Sequence, residues 1–237
     1  MCISDLKQIC KNQNKSTKIY VDKKVDEEFA NNIISQYEKL SNIFEDSGVR
    51  NILILNKPSD IKKMADEHRK ISRFLQGKGK IAFGLHTKKD DTICIVQSNH
   101  KRKDEDYEGD FDVQGADTLT HEFGHSLDTK YSRCEKFKTA FLADLLELER
   151  NLLVNPKEKI EGTHMTYKEA KEYFKHYLED VDFSDGVDKR DITRAGLREN
   201  FAETFSILFD SSESAVNDIY SSIFANSIEA VQELLSA

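Results

Sequence analysis

In the first half of the chain the apolar positions fall in short β-branched runs, KIYVD (18 to 22) and VRNILILN (49 to 56). Between them, Phe29, Ile33, Ile34, Tyr37 and Leu40 recur at helical spacing, so this part predicts strand, helix, strand. A further helix near 59 to 75 leads to GKGKIAFGLHTKKDDTICIVQ, whose two apolar runs around a charged turn predict a hairpin. After about residue 115 the period changes, and long helical patterns cover 134 to 153, 165 to 180, 194 to 210 and 213 to 235. Strands early and helices late predict an α+β fold, with a small N-terminal mixed sheet and a mainly helical C-terminal half. There is no internal repeat or low-complexity tract, and the two prolines, Pro58 and Pro156, mark no linker. One domain over 1–237 is expected, with a strand-containing upper half (1–115) and a helical half (116–237).

At the junction of the two halves stands TLTHEFGHSLD, residues 118 to 128. On a helical wheel Ala116, Leu119, Phe123 and Leu127 share an arc of roughly 80°, which is a core face. His121 and His125 lie about 40° apart on the far side, and Glu122 is about 60° beyond His125. Histidines at i and i+4 can direct ring nitrogens at one zinc ion. The adjacent glutamate can reach a water on that ion and take its proton.

Two histidines do not complete a catalytic zinc site, which takes three protein ligands and keeps a position for water. In TRAGLRENFAETFSILF, Glu199 and Glu203 stand one turn apart, opposite the apolar stripe of Leu197, Phe201, Phe205 and Leu208. Taken alone, such a pair is a solvated helix face. Beside an HExxH motif it is a candidate for the missing ligand, with Glu169 and Glu172 as rivals.

HEFGH followed by ENFAETF resembles the zincin metallopeptidases, and within them the branch containing anthrax lethal factor and the Pro-Pro endopeptidases. Thr118, the uncharged Leu119, Phe123, Gly124 and Ser126, and the apolar Leu127 suit the zincin pattern around the motif. The resemblance covers the two motif helices. It implies a zincin-like metallopeptidase fold with one Zn2+ per chain, held by His121, His125 and Glu199. It further implies Glu122 as general base and Glu203 as a partner that orients a ligand histidine.

Two features depart from the family. The stretch between His125 and Glu199 is longer than usual, which predicts an inserted helical element or lid in 130–190. The tyrosine that stabilises the oxyanion in the family falls on Ile192, leaving Arg194, Tyr173, Tyr177 and His176 as substitutes. The resemblance also implies an edge strand to which extended substrate pairs. TICIV (92 to 96), through Ile93, Cys94 and Ile95, is the candidate, and a plain sheet core is the competing role.

The expected activity is that of a zinc metalloendopeptidase. The alternatives are a catalytically impaired zinc-binding domain of the same fold and a helical interaction domain without metal. At 237 residues and 38% hydrophobic content the chain can bury its own core. Its net charge of -8 argues against nucleic acid as a partner and suits basic protein or peptide substrates. The basic KRK at 101 to 103 runs into DEDYEGDFD and reads as a solvated loop, as does the acidic DVDFSDGVDKRD after residue 179. Cys2, Cys10, Cys94 and Cys134 lack CxxC spacing and read as free thiols. No segment is long and apolar enough to span a bilayer, and the first residues lack the core of a secretory signal. The family resemblance implies a secreted or host-delivered bacterial protein, a toxin or effector.

Overall fold

The computed structural model describes residues 6–11, 17–44, 47–59, 83–88, 91–100, 111–128, 132–173, 194–209 and 215–236. The chain divides into two compact units, Met1–Leu127 and Asp128–Ala237. The division falls at the end of the helix that carries HEFGH, so this helix belongs with the sheet and not with the helical half.

The first unit contains β1 (Leu6–Lys11), β2 (Lys18–Asp22), α1 (Glu27–Ile43), β3 (Asn51–Leu55), β4 (Gly84–Thr87), β5 (Thr92–Val96), the short α2 (Gln97–His100) and α3 (Phe111–Leu127). The strands form one five-stranded mixed sheet in the order β1-β2-β3-β5-β4. β2, β3 and β5 are parallel, and β1 and β4 close the two ends antiparallel. The predicted hairpin is present, with Gly84 opposite Ile95 and Thr87 opposite Thr92. β1 has no counterpart in the sequence reading, because LKQICK is too polar to signal a strand and depends on β2 for its pairing.

Residues directly opposite in the ladder share a face, so Gly84, Ile93, Ile95, Ile52 and Ile54 line one side of the sheet. Leu53, Leu55, Cys94 and Val96 pack together on the other side with Tyr20 and Leu85 against them. β5 is buried along its whole length, as suits a strand covered on both faces.

α1 begins at Asp26, whose carboxylate accepts the Glu28 N–H, and it buries Phe29, Ile33, Ile34, Tyr37 and Leu40. It packs on α3, where Leu119, Phe123 and Leu127 are fully buried, as the wheel predicts, and the Phe123 ring meets Tyr37 and Phe44. Gly115 makes this approach possible. A Cβ there would stand 2.6 Å from Phe29 Cε2 and 3.1 Å from Ile33 Cδ1. One buried hydrogen bond fixes the pair, Gln36 Nε2 donating to Thr120 Oγ1 at 3.0 Å, and a second ties α1 to the start of β2, Tyr37 OH donating to Thr17 Oγ1 at 2.6 Å.

The second unit comprises α4 (Ser132–Val154), α5 (Tyr167–Tyr173), α6 (Arg194–Phe209), α7 (Ala215–Ile223) and α8 (Ala225–Ser236). Phe137 and Phe141 stack at 5.4 Å, Phe141 stacks on Phe224 at 5.8 Å, and Phe201 meets Phe137 edge-on at 5.7 Å. Leu145, Leu197, Ile219, Tyr220 and Val231 complete this core. The single helix expected over 213 to 235 is two helices that break at Phe224, whose N–H closes α7 on Tyr220 while its carbonyl accepts the Ile228 N–H to open α8. An apolar residue thus sits where α8 needs a capping oxygen. Asp144 of α4 supplies it. Its buried carboxylate accepts the Asn226 and Ser227 N–H groups at 3.2 and 2.8 Å, and also Asn226 Nδ2 and Ser227 Oγ at 2.6 Å each.

The predicted helix near 59 to 75, the KRK run and the acidic loop before residue 193 lie outside the described residues, apart from the first turn at 59. Among the described residues no helix is long and apolar enough to cross a membrane, and Cys94 and Cys134 are buried free thiols.

Candidate metal centre

α3 carries three of the expected residues, and their local arrangement follows from its apolar stripe. With Leu119, Phe123 and Leu127 turned into the core, the helix leaves His121 half-buried and His125 and Glu122 each only 7% exposed. The imidazoles of His121 and His125 lie 4.9 Å apart between centroids and nearly perpendicular, at 85°. Glu122 is therefore a buried acid beside two adjacent imidazoles, not a solvated surface carboxylate.

On α6, Leu197, Phe201 and Phe205 are buried and Leu208 is half-buried, which leaves Glu199 exposed and Glu203 half-buried on the opposite side. One ligand atom from each of His121, His125 and Glu199 lies within 4.8 Å of the others, and this group could hold a metal ion. The rival ligands are not part of that group. Glu169 Oε2 accepts the Thr166 N–H and hydroxyl at 2.8 Å each, while the Glu169 N–H returns a bond to Thr166 Oγ1. That reciprocal pair is a capping box opening α5, and Glu172 is exposed further along the same helix. The hydrogen bonds from Thr166 hold the Glu169 carboxyl below the usual glutamate range.

Of the candidate oxyanion helpers, Arg194 is exposed at the first residue of α6, and Tyr173 ends α5. The Tyr173 side chain, His176, Tyr177 and Ile192 lie outside the described residues.

The edge-strand assignment is corrected. Ile93, Cys94 and Ile95 belong to β5, which is paired with β3 on one side and β4 on the other, so its backbone has no open edge to offer a substrate. β4 is last in the described order. β5 combines complete burial with pairing on both sides, the sheet-core role that the sequence reading held as its competitor. Burial pushes the Cys94 thiol well above the usual cysteine range, and nearby Glu122 adds to the shift, so this sulfur stays protonated.

Sequence reasoning missed the residues around Glu122. Gly84 of β4 lies against both Thr118 and Glu122. His100, which ends α2, bonds to the Thr118 hydroxyl and to the Val96 carbonyl. HTKKDD after Gly84 signals a turn, and nothing local to Gly84 or His100 signals which helix they meet. Within the second unit, Arg198, next to Glu199, sets its guanidinium 3.9 Å from the buried carboxylate of Asp128. Compared with known proteins, the chain matches no family model and no curated protein.

Proposed function

We propose that the chain is a zinc-dependent endopeptidase of the zincin fold that hydrolyses peptide bonds of a protein substrate. The observation that carries this reading is the convergence of His121, His125 and Glu199 donor atoms within 4.8 Å, with the buried Glu122 next to His121 on the same helix. Two imidazoles and a carboxylate are nitrogen and oxygen donors that zinc accepts at about 2.0–2.2 Å. Tetrahedral ligands at that length stand about 3.4 Å apart, so donors already this close reach one ion by side-chain adjustment. Three protein ligands also leave a fourth position open, as catalytic sites require.

A zinc ion bound there supplies Lewis acidity to the scissile carbonyl and lowers the pKa of water. Glu122 takes the proton of the attacking water and delivers it to the leaving amine. Its burial supports that role, because a sheltered carboxylate is held in one place rather than solvated freely. In this reading Glu203, one turn from Glu199, is the partner that orients a ligand histidine. Extended substrate pairs with β4, the strand that lies against α3 beside Glu122, while acidic overall charge favours basic substrates.

The test combines metal analysis with a Glu122→Gln variant. The protein purified without added metal is expected to hold one zinc per chain and to cleave members of a broad peptide library. Glu122→Gln is expected to keep the zinc and lose at least about 100-fold in turnover. Undiminished turnover in that variant refutes the mechanism. Zinc without any cleavage by the parent supports the impaired zinc-binding domain instead, and absence of zinc supports the metal-free interaction domain.

A further inference from the structure

Gly84 is buried, and its missing side chain faces α3. A Cβ at this position would stand 2.6 Å from Thr118 Cγ2, 3.0 Å from Glu122 Cγ and 3.1 Å from Glu122 Oε1. Ordinary contact begins at 3.4 Å, so the strand backbone lies as close to the Glu122 arm as a residue without a side chain permits. Gly84 has no positive φ, so close approach rather than backbone freedom requires glycine.

Thr118 is one helical turn before Glu122 and shares its face of α3. Its rotamer is set from a third element. His100 Nε2 lies 3.0 Å from Thr118 Oγ1, and His100 Nδ1 lies 2.9 Å from the Val96 carbonyl. A carbonyl only accepts, so Nδ1 carries the proton, Nε2 accepts, and the Thr118 hydroxyl donates. With its oxygen held by His100, Thr118 presents its methyl to Gly84. The rings of Phe29 at 5.2 Å and Phe83 at 5.0 Å enclose the His100 imidazole. Burial lowers its pKa, which keeps it in the neutral form this arrangement needs.

We infer that Gly84, Thr118 and His100 are positioning residues for Glu122: His100 orients Thr118, and Thr118 with the bare Gly84 backbone confines the Glu122 carboxylate to one place. This rests on the reading of Glu122 as the general base. None of the three touches the reacting atoms. They act through Glu122, and because Gly84 belongs to β4, the same strand would align substrate and base.

The experiment compares Gly84→Ala, Gly84→Ala with Thr118→Ser, and Thr118→Val in the full chain, after thermal melts have established that each folds. Thr118→Ser removes the methyl closest to the new Cβ and keeps the hydroxyl. On a peptide that the parent cleaves, Gly84→Ala is expected to lower kcat about tenfold, because Thr118 must shift and Glu122 must give by a few tenths of an ångström, with KM changed less than threefold. The double variant is expected to recover at least threefold. Zinc content should stay at that of the parent throughout. An activity-independent readout is the 13C carboxyl resonance of Glu122, identified by its loss in Glu122→Gln. Its chemical shift at fixed pH is expected to move in Gly84→Ala and to return in the double variant. Should Gly84→Ala not fold, Thr118→Val carries the test, with about tenfold loss of kcat and a displaced Glu122 resonance. A parent-like kcat, an unmoved Glu122 resonance, or no recovery in the double variant overturns the inference. A parent that cleaves nothing refutes the peptidase reading instead, and the shift of the Glu122 resonance then still decides whether Gly84 and Thr118 confine this carboxylate.

Discussion

Replacing Asp144 by alanine is the severest single test of how the helical unit is held together. Its carboxylate is the cap of α8, supplied from α4 and accepting four hydrogen bonds from Asn226 and Ser227. Ser227 is completely buried, so both its N–H and its hydroxyl lose their partner with no water to replace it. Each such orphaned group costs about 1–3 kcal/mol. Asn226 is less enclosed and adds less. Removing the desolvated charge itself returns part of the loss. The expected destabilisation is about 3 kcal/mol, or roughly 6–12 °C in Tm for a chain of this size.

Urea unfolding followed by circular dichroism at 222 nm measures this directly, and a double-mutant cycle with Ser227→Ala isolates the shared term, expected to exceed about 1 kcal/mol. The pH dependence gives a second check. Burial raises the Asp144 pKa above the usual aspartate value, and the donors pull it only part of the way back. A carboxyl whose folded pKa lies above its unfolded one loses stability as pH rises through that interval. Asp144→Asn lacks this titration, so its deficit relative to the parent should be larger below about pH 4 than at pH 7. A loss under about 1 kcal/mol in Asp144→Ala, or a cycle with no coupling, refutes the assignment of Asp144 as the cap.

Two further outcomes are expected. Gly115→Ala drives a methyl to 2.6 Å from the Phe29 ring; overpacking of about 1–3 kcal/mol outweighs the ~1 kcal/mol by which alanine favours the helix, so the urea midpoint should fall, and an unchanged or higher midpoint rejects the close α1 to α3 packing. Chelation of metal should lower Tm by about 10 °C, the effect of removing a ligand present at roughly a thousand times its Kd, with added zinc restoring it in the parent but not in His121→Ala or Glu199→Ala; a melt indifferent to chelator in the parent argues against a resident metal.

The motif residues were legible in the chain because their geometry is local. Histidines at i and i+4, and glutamates at the same spacing, share a face on any helix, and the leucines and phenylalanines beside them turn that face away from the apolar core. Residues Leu119, Phe123, Leu127, Leu197, Phe201 and Phe205 are buried as their spacing predicts. The hairpin of β4 and β5 was legible for the same reason, since a charged turn between two apolar runs joins neighbours.

Which strand of that hairpin stands inside the sheet was not legible. TICIV, the more apolar run, reads equally as substrate edge or sheet core, and only the non-local pairing with β3 places it inside and leaves GLHT last in the described order. The cap of α8 by Asp144 is likewise invisible locally, because the donor and acceptor are more than eighty positions apart and one aspartate within FLADLL carries no sign of its partner. Gly84 is the plainest case. By sequence it is a small residue near a turn, and only the packing of β4 on α3 makes its missing side chain matter to Glu122. The sequence by itself determined which side chains share a helix face, because helical periodicity is a property of consecutive residues. Tertiary structure alone decided strand order, the distant cap and the surroundings of Glu122, because these depend on contacts between segments whose separation along the chain carries no periodic signal.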